Sequence, residues 1–178
     1  ITDSEVKQVL DSLEIRDKVL LLTGLHFGTR ISESLSLTFG EVSGEYLQIK
    51  SKKHSENVTF PIPANFKTLV EELRASYQAR GVEVNAGTFL FLSRKGENLP
   101  ITRIQASRII TAACESLGIS GKVNTHSLRK TFVTKIYELT GKDIIQTKVY
   151  SRHKNLSNLE YYIKTTESTD LVNKLSWV

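Results

Sequence analysis

Apolar residues recur at helical spacing from the first turn of the chain. Val6, Val9, Leu10 and Leu13 share one face, and Thr2 and Glu5 stand ahead of them as a capping box. A second helix is predicted from about Arg16 to His26, loosened by Gly24 and Gly28, and a short third from Arg30 to Leu37. The period then changes. Tyr46, Leu47 and Ile49 read as one strand and Asn57 to Ile62 as its partner, with Lys50 to Glu56 as the turn and Pro61 and Pro63 ending the hairpin. Phe66, Leu69, Val70, Leu73 and Tyr77 predict a helix over about Ala64 to Arg80, stopped by Gly81. Thr88 to Leu92 is a short apolar run, either a strand or an extended connection.

From Thr102 the pattern is helical to the end. Segments are predicted over Thr102–Leu117, Ser127–Leu139, Asp143–Tyr150, Leu156–Ile163 and Ser168–Leu175, with Gly118, Gly121 and Gly141 between them. The sum is an α+β fold, mostly α-helical, with a small antiparallel β-sheet near the front. A length of 178 residues without repeat, low-complexity tract or linker suits a single domain over 1–178.

Charge changes this picture modestly. Lys and Arg exceed Asp and Glu by 24 to 19, which permits a polyanionic partner without requiring one. The distribution is more telling. Eight basic residues lie between Ile119 and Lys154, opposed only by Glu138 and Asp143, a pattern that fits either a solvated helical face or a nucleic-acid surface. The single Cys114 cannot form an internal disulfide and reads as small core filler. No apolar run is long enough to span a membrane and no signal peptide is visible, so a cytoplasmic protein is expected.

The candidate chemical groups are scattered along the chain: Arg30, Lys52 and Lys53, His126 and Arg129, His153, and the pair Tyr161 and Tyr162. Each has an ordinary reading as well. Arg30 opens a helix, where a cation opposes the dipole; it is either a solvated side chain or a clamp for a phosphate drawn to that helix end. His126 and Arg129, three apart, share a helix face that Thr125 is placed to cap; they are either incidental or a two-pronged phosphate donor. Lys53 at a hairpin tip is either solubilising or a mobile proton donor. Of two adjacent tyrosines only one can face a core. The four histidines lack metal-ligand spacing, and no nucleotide-binding glycine pattern or nucleophile elbow occurs. Neither a metal nor another cofactor is expected.

Taken in order, these blocks resemble the tyrosine site-specific recombinase (phage integrase) family, from about Leu20 to Lys164. TGLHFGTRISESLSLT is similar to its first block and aligns Arg30 with the first catalytic arginine and Glu33 with a supporting acid. Counting back from FPIP, the family's hairpin lysine falls on Lys53, with Lys52 as the close alternative. THSLRKTFVT matches the His-x-x-Arg block and gives His126 and Arg129. The family's Leu-Gly-His stands here as Ser-Arg-His, so His153 matches and Arg152 replaces the glycine. Nine residues beyond His153 is Tyr162, at the place of the nucleophile.

The resemblance implies DNA cleavage through a 3′-phosphotyrosyl link, with Arg30, Arg129 and His153 on the phosphate oxygens. Lys53 is then the acid for the leaving 5′-oxygen, and His126 either assists proton movement or holds the phosphate. It implies double-stranded recombination sites as partners, with Lys52, Lys130, Arg152 and Lys154 as DNA contacts. It also implies a homo-tetramer on DNA, with a monomer as the expected state off DNA, and residues 166–178 docking on a neighbouring protomer or packing at home. The family's N-terminal DNA-clasping domain has no counterpart in this sequence, which points to a catalytic fragment. Two alternatives share the residues or the fold: a type IB topoisomerase that relaxes DNA, and a catalytically inactive DNA-binding regulator.

Overall fold

A computed structural model describes residues 2–49, 58–119, 123–153, 155–157 and 159. Helix α1 (Asp3–Ser12) starts on Thr2, whose Oγ1 accepts from the Glu5 amide (3.2 Å) while Glu5 Oε2 accepts from the Thr2 amide (2.7 Å). The expected capping box is present. Helix α2 (Ile15–Phe27) is buried without a break from Val19 to Gly24. The stretch Val19–Leu22 is apolar on every side and so belongs in the interior, and α2 packs against α3, α4, α5 and α6.

The third helix is shorter than expected. α3 covers only Ile31–Ser34, with Arg30 as its N-cap and Leu35 closing it. The chain then turns extended because it has other partners: the Leu37 carbonyl accepts from Leu90 (2.9 Å), and Phe39 donates to the Thr88 carbonyl (2.9 Å). Thr88–Leu92 is thus an extended connection bonded on both sides, with bridges Thr38–Phe89 and Leu92–Pro100. Strands β1 (Tyr46–Ile49) and β2 (Val58–Pro61) pair antiparallel, with Leu47 opposite Phe60, both buried. The turn expected over residues 50–56 lies outside the described residues.

α4 (Ala64–Gln78) buries Phe66, Val70, Leu73 and Tyr77. The Tyr77 hydroxyl donates to the Leu90 carbonyl (2.7 Å) and accepts from the Leu92 amide (3.1 Å), pinning the connection to the helix. α5 (Arg103–Ser116) is capped by Thr102. α6 (Thr125–Leu139) is capped by Asn124 rather than Thr125, because extended Asn124 places Oδ1 on the His126 and Ser127 amides (2.9 and 3.2 Å). It therefore begins two residues ahead of the expected Ser127. α7 (Ile144–Ser151) is capped by Asp143 and closes on Arg152 in the left-handed region. Of the helix expected near 156–163, residues 156, 157 and 159 are described and are helical. The one near 168–175 lies outside the described residues.

Two apolar clusters flank α2. The larger joins Leu20 and Phe27 to β1, β2, α4 and Phe132 of α6; the smaller joins Leu21 to Val9, Ile110, Cys114 and Leu128. Two glycines allow the close approach of α2 and α6. A Cβ on Gly24 would lie 3.0 Å from Leu128 Cβ. At Gly28 it would lie 2.2 Å from Phe132 Cδ1, at a φ of +54°. Gly28→Ala therefore combines a left-handed backbone penalty with overpacking, together about 3 kcal/mol. Chemical denaturation should show that loss, and a smaller one for Gly24→Ala, whose backbone is helical.

Candidate active site

The C-terminal ends of α2 and α7 meet the buried face of α6. Helix ends leave carbonyl oxygens unsatisfied and carry the negative end of the helix dipole. Arg129, on α6 and 3% exposed, meets both: Nη1 donates to the carbonyl of Gly28, which caps α2, and Nη2 to that of Ser151, the last residue of α7.

Arg30 stands at the N-terminus of α3 with its side chain 47% exposed. Glu33, one turn on and buried, holds it twice. Glu33 Oε2 accepts from the Arg30 amide (2.8 Å) and Oε1 pairs with Arg30 Nη1 (2.8 Å). Burial works to raise the Glu33 pKa, but Arg152, the Arg30 amide and the Arg30 guanidinium outweigh it and hold the carboxyl below its ordinary range.

His153 follows α7, and its Nδ1 lies 2.8 Å from Ser151 Oγ. Burial, then the charges of Arg129, Arg30, His126 and Arg152, lower its pKa to about 4, so the free protein carries a neutral ring at pH 7. His126 lies on the exposed side of α6, one turn before Arg129. Partial loss of solvent and then the charges of Arg129, Arg30 and Lys130 lower its pKa as well. The sequence-predicted residues Arg30, Glu33, His126, Arg129 and His153 are thus brought to one locus, within reach of each other's fields. Two guanidiniums and two imidazoles there form a set of hydrogen-bond donors of the kind that suits an anion.

Lys52, Lys53, Lys154, Tyr161 and Tyr162 lie outside the described residues. Lys130 is exposed and lines, with Ser127 and Lys135, a groove of about 620 Å³ between α1, α2 and α6. Arg152 differs from expectation. It is not a surface side chain available to DNA: it is 0% exposed, paired with Glu33 Oε2 (3.1 Å) and donating to the Gly28 carbonyl (3.0 Å). Sequence reasoning also missed Ser151, whose hydroxyl and carbonyl serve His153 and Arg129. The signal available was its place in the altered Ser-Arg-His block. Among the described residues no cluster of His, Cys, Asp and Glu could hold a metal ion, and no helix is long and apolar enough to cross a membrane.

The model of the phage integrase family matches residues 1–169. The chain belongs to the phage integrase family. A probable integrase/recombinase, YoeC of Bacillus subtilis, is 31% identical over 93% of this chain and 86% of its own length. Tyrosine recombinase XerH of Campylobacter jejuni is 25% identical over 91% of the chain and 47% of its own length. Among solved structures, a post-cleavage complex of XerH recombinase on palindromic difH matches with a TM-score of 0.74, at 21% identity, over 93% of this chain and 49% of that one. XerA recombinase matches with a TM-score of 0.75 at 18% identity, over 98% and 62%. These structural likenesses establish the shared fold of this integrase-family chain. The chain spans about half the length of the two XerH proteins.

The depressed His153 pKa has a thermodynamic consequence. An unfolded histidine titrates near 6.5, so below that pH the unfolded chain takes up a proton that the native site refuses. The contribution of His153 is full above pH 6.5 and is lost as the pH falls toward 4. Denaturation of wild type and His153→Gln from pH 7.5 to 4 should show the wild type losing stability relative to the variant across that window. A ring NMR titration should place the His153 midpoint near 4.

Proposed function

We propose that residues 1–178 form the catalytic domain of a site-specific DNA recombinase that cuts and rejoins DNA through a 3′-phosphotyrosyl intermediate. The observation that carries the reading is the convergence of Arg30, His126, Arg129 and His153 at one locus, in a chain of the phage integrase family. The phenolic oxygen of Tyr162 attacks the scissile phosphorus, and the bond from phosphorus to the 5′-oxygen breaks as the new one forms. Arg30, Arg129 and His153 hold the non-bridging oxygens while their charge grows. Lys53 gives its proton to the departing 5′-oxygen, and His126 assists removal of the phenolic proton. Cations favour the phenolate over the phenol, whose unperturbed pKa is about 10. Rejoining is the reverse attack by a 5′-hydroxyl. The diester's energy is retained in the phosphotyrosyl bond, so the exchange needs no nucleotide.

The partners that follow are duplex recombination sites, with Lys52, Lys130 and Lys154 on the DNA backbone. Two pairs of protomers would assemble on two sites, residues 166–178 docking between neighbours, and the cytoplasm is the compartment where DNA is met.

Nicked substrate carrying the protein's own site tests the chemistry. An SDS-stable adduct should form with wild type, vanish in Tyr162→Phe and persist in Tyr161→Phe; the reverse pattern would move the nucleophile to Tyr161. Tight binding with no adduct would reduce the protein to a DNA-binding regulator, and relaxation of any supercoiled plasmid would mark a topoisomerase.

The role of Lys53 has its own check. Lys53→Ala should slow cleavage at least 10-fold on normal DNA, within the range for a lost general acid. On DNA with sulfur in place of the scissile 5′-oxygen, a leaving group that needs no proton, its rate should match that of wild type. The same deficit on both substrates would remove Lys53 as the acid and leave Lys52 to be tried.

A further inference from the structure

Three described non-glycine residues have positive φ: Asn98, Lys142 and Arg152. Asn98 and Lys142 are exposed, and Arg152 is buried. A left-handed backbone on a branched-Cα residue costs about 1–2 kcal/mol, and a buried guanidinium must also be stripped of water. Glycine would hold the same C-cap position with neither cost. The side chain must therefore accomplish something the backbone turn does not need.

Its contacts show what. Nη1 meets Glu33 Oε2 (3.1 Å), the oxygen that also accepts from the Arg30 amide. Nη2 meets the Gly28 carbonyl (3.0 Å), which also accepts from Arg129. A continuous chain runs Arg30, Glu33, Arg152, Gly28 carbonyl, Arg129. Arg30 comes from the start of α3 and Arg129 from α6, and Arg152 joins the acceptor of one to the acceptor of the other. Lysine could not do this, because a single ammonium lacks the planar fork that spans two acceptors in fixed directions. Glu33 is also one carboxylate shared by two guanidiniums, so Arg152 leaves this corner of the site one positive charge richer than Arg30 and Glu33 alone.

We infer that Arg152 is a positioning residue that fixes Arg30 and Arg129 relative to each other for the two non-bridging oxygens of one phosphodiester, acting through Glu33 and the Gly28 carbonyl without touching DNA. The inference rests on the reading that these two arginines hold the scissile phosphate.

The test uses the full chain and four variants: Arg152→Gly, Arg152→Lys, Glu33→Gln and Arg152→Gly with Glu33→Gln. Glycine suits the left-handed position, so Arg152→Gly is expected to fold. On nicked site DNA its single-turnover cleavage should fall about 10- to 100-fold, the scale of a misplaced reacting geometry. DNA affinity should stay within about 3-fold, since the side chain reaches no DNA surface. Arg152→Lys should lie between Arg152→Gly and wild type. The double variant should cleave no more slowly than Glu33→Gln, because both substitutions break one chain of contacts. Wild-type cleavage by Arg152→Gly, or a double variant slowed by the product of the single effects, would overturn the inference.

A readout without DNA separates this from the recombinase reading. The Nε–H NMR signals of Arg30 and Arg129 should be distinct in wild type, and that of Arg30 should move toward the position of solvent-exposed arginines in Arg152→Gly. If the wild type forms no adduct, the recombinase reading falls and takes the inference with it; if the adduct forms, an unchanged Arg30 signal in Arg152→Gly overturns the inference alone.

Discussion

Arg129 must keep its charge in the interior, and that demand organises everything around it. A buried guanidinium is tolerated only when its donors find acceptors. Here the acceptors are carbonyls at the C-terminal ends of two helices, Gly28 of α2 and Ser151 of α7. Those oxygens have no partner within their own helices and sit at the negative ends of the helix dipoles. One cation thus joins two helix ends, and the α2 end accepts from Arg152 as well. His153 lies beside this junction because it follows closely on α7, and Arg30 lies beside it because it caps α3 only two residues after Gly28.

The apolar framework meets the same demand from the other side. α2 can bring its C-terminus to α6 only if the two helices approach closely. Gly24 against Leu128 and Gly28 against Phe132 permit that approach. Gly28 therefore has three tasks in one residue: it ends α2 with a left-handed backbone, leaves room for Phe132, and turns its carbonyl toward two arginines.

What could be read in the sequence was what depends on local chemistry. The Thr2–Glu5 box, the alternation that pairs Leu47 with Phe60, and the apolar stripe of α4 need only neighbours and periodicity to be seen. The blocks holding Arg30, Glu33, His126, Arg129 and His153 were legible through their order and spacing. Three features were not. α3 stops early because Leu37 and Phe39 bond to a segment some fifty residues on. Asn124 displaces Thr125 as a cap because its backbone is extended, which composition does not reveal. Arg152 looked like one more basic residue in a basic stretch, since its burial depends on Glu33, 119 positions earlier. The acceptors of Arg129 and Arg152 include backbone carbonyls, and every residue has one, so no side-chain pattern could single out Gly28 or Ser151.

The long reach of these contacts bears on when the site comes into being. Arg129 and Gly28 are 101 positions apart, and Arg152 and Gly28 are 124 apart. Contacts of such separation form only after most of the chain-closure entropy has been overcome. A chain emerging during synthesis, or one opened at α7, still displays its arginines to water but has not brought them together. The meeting of Arg30, Arg129 and His153 is therefore an all-or-none property of the finished fold, present only once both ends of the chain have come together.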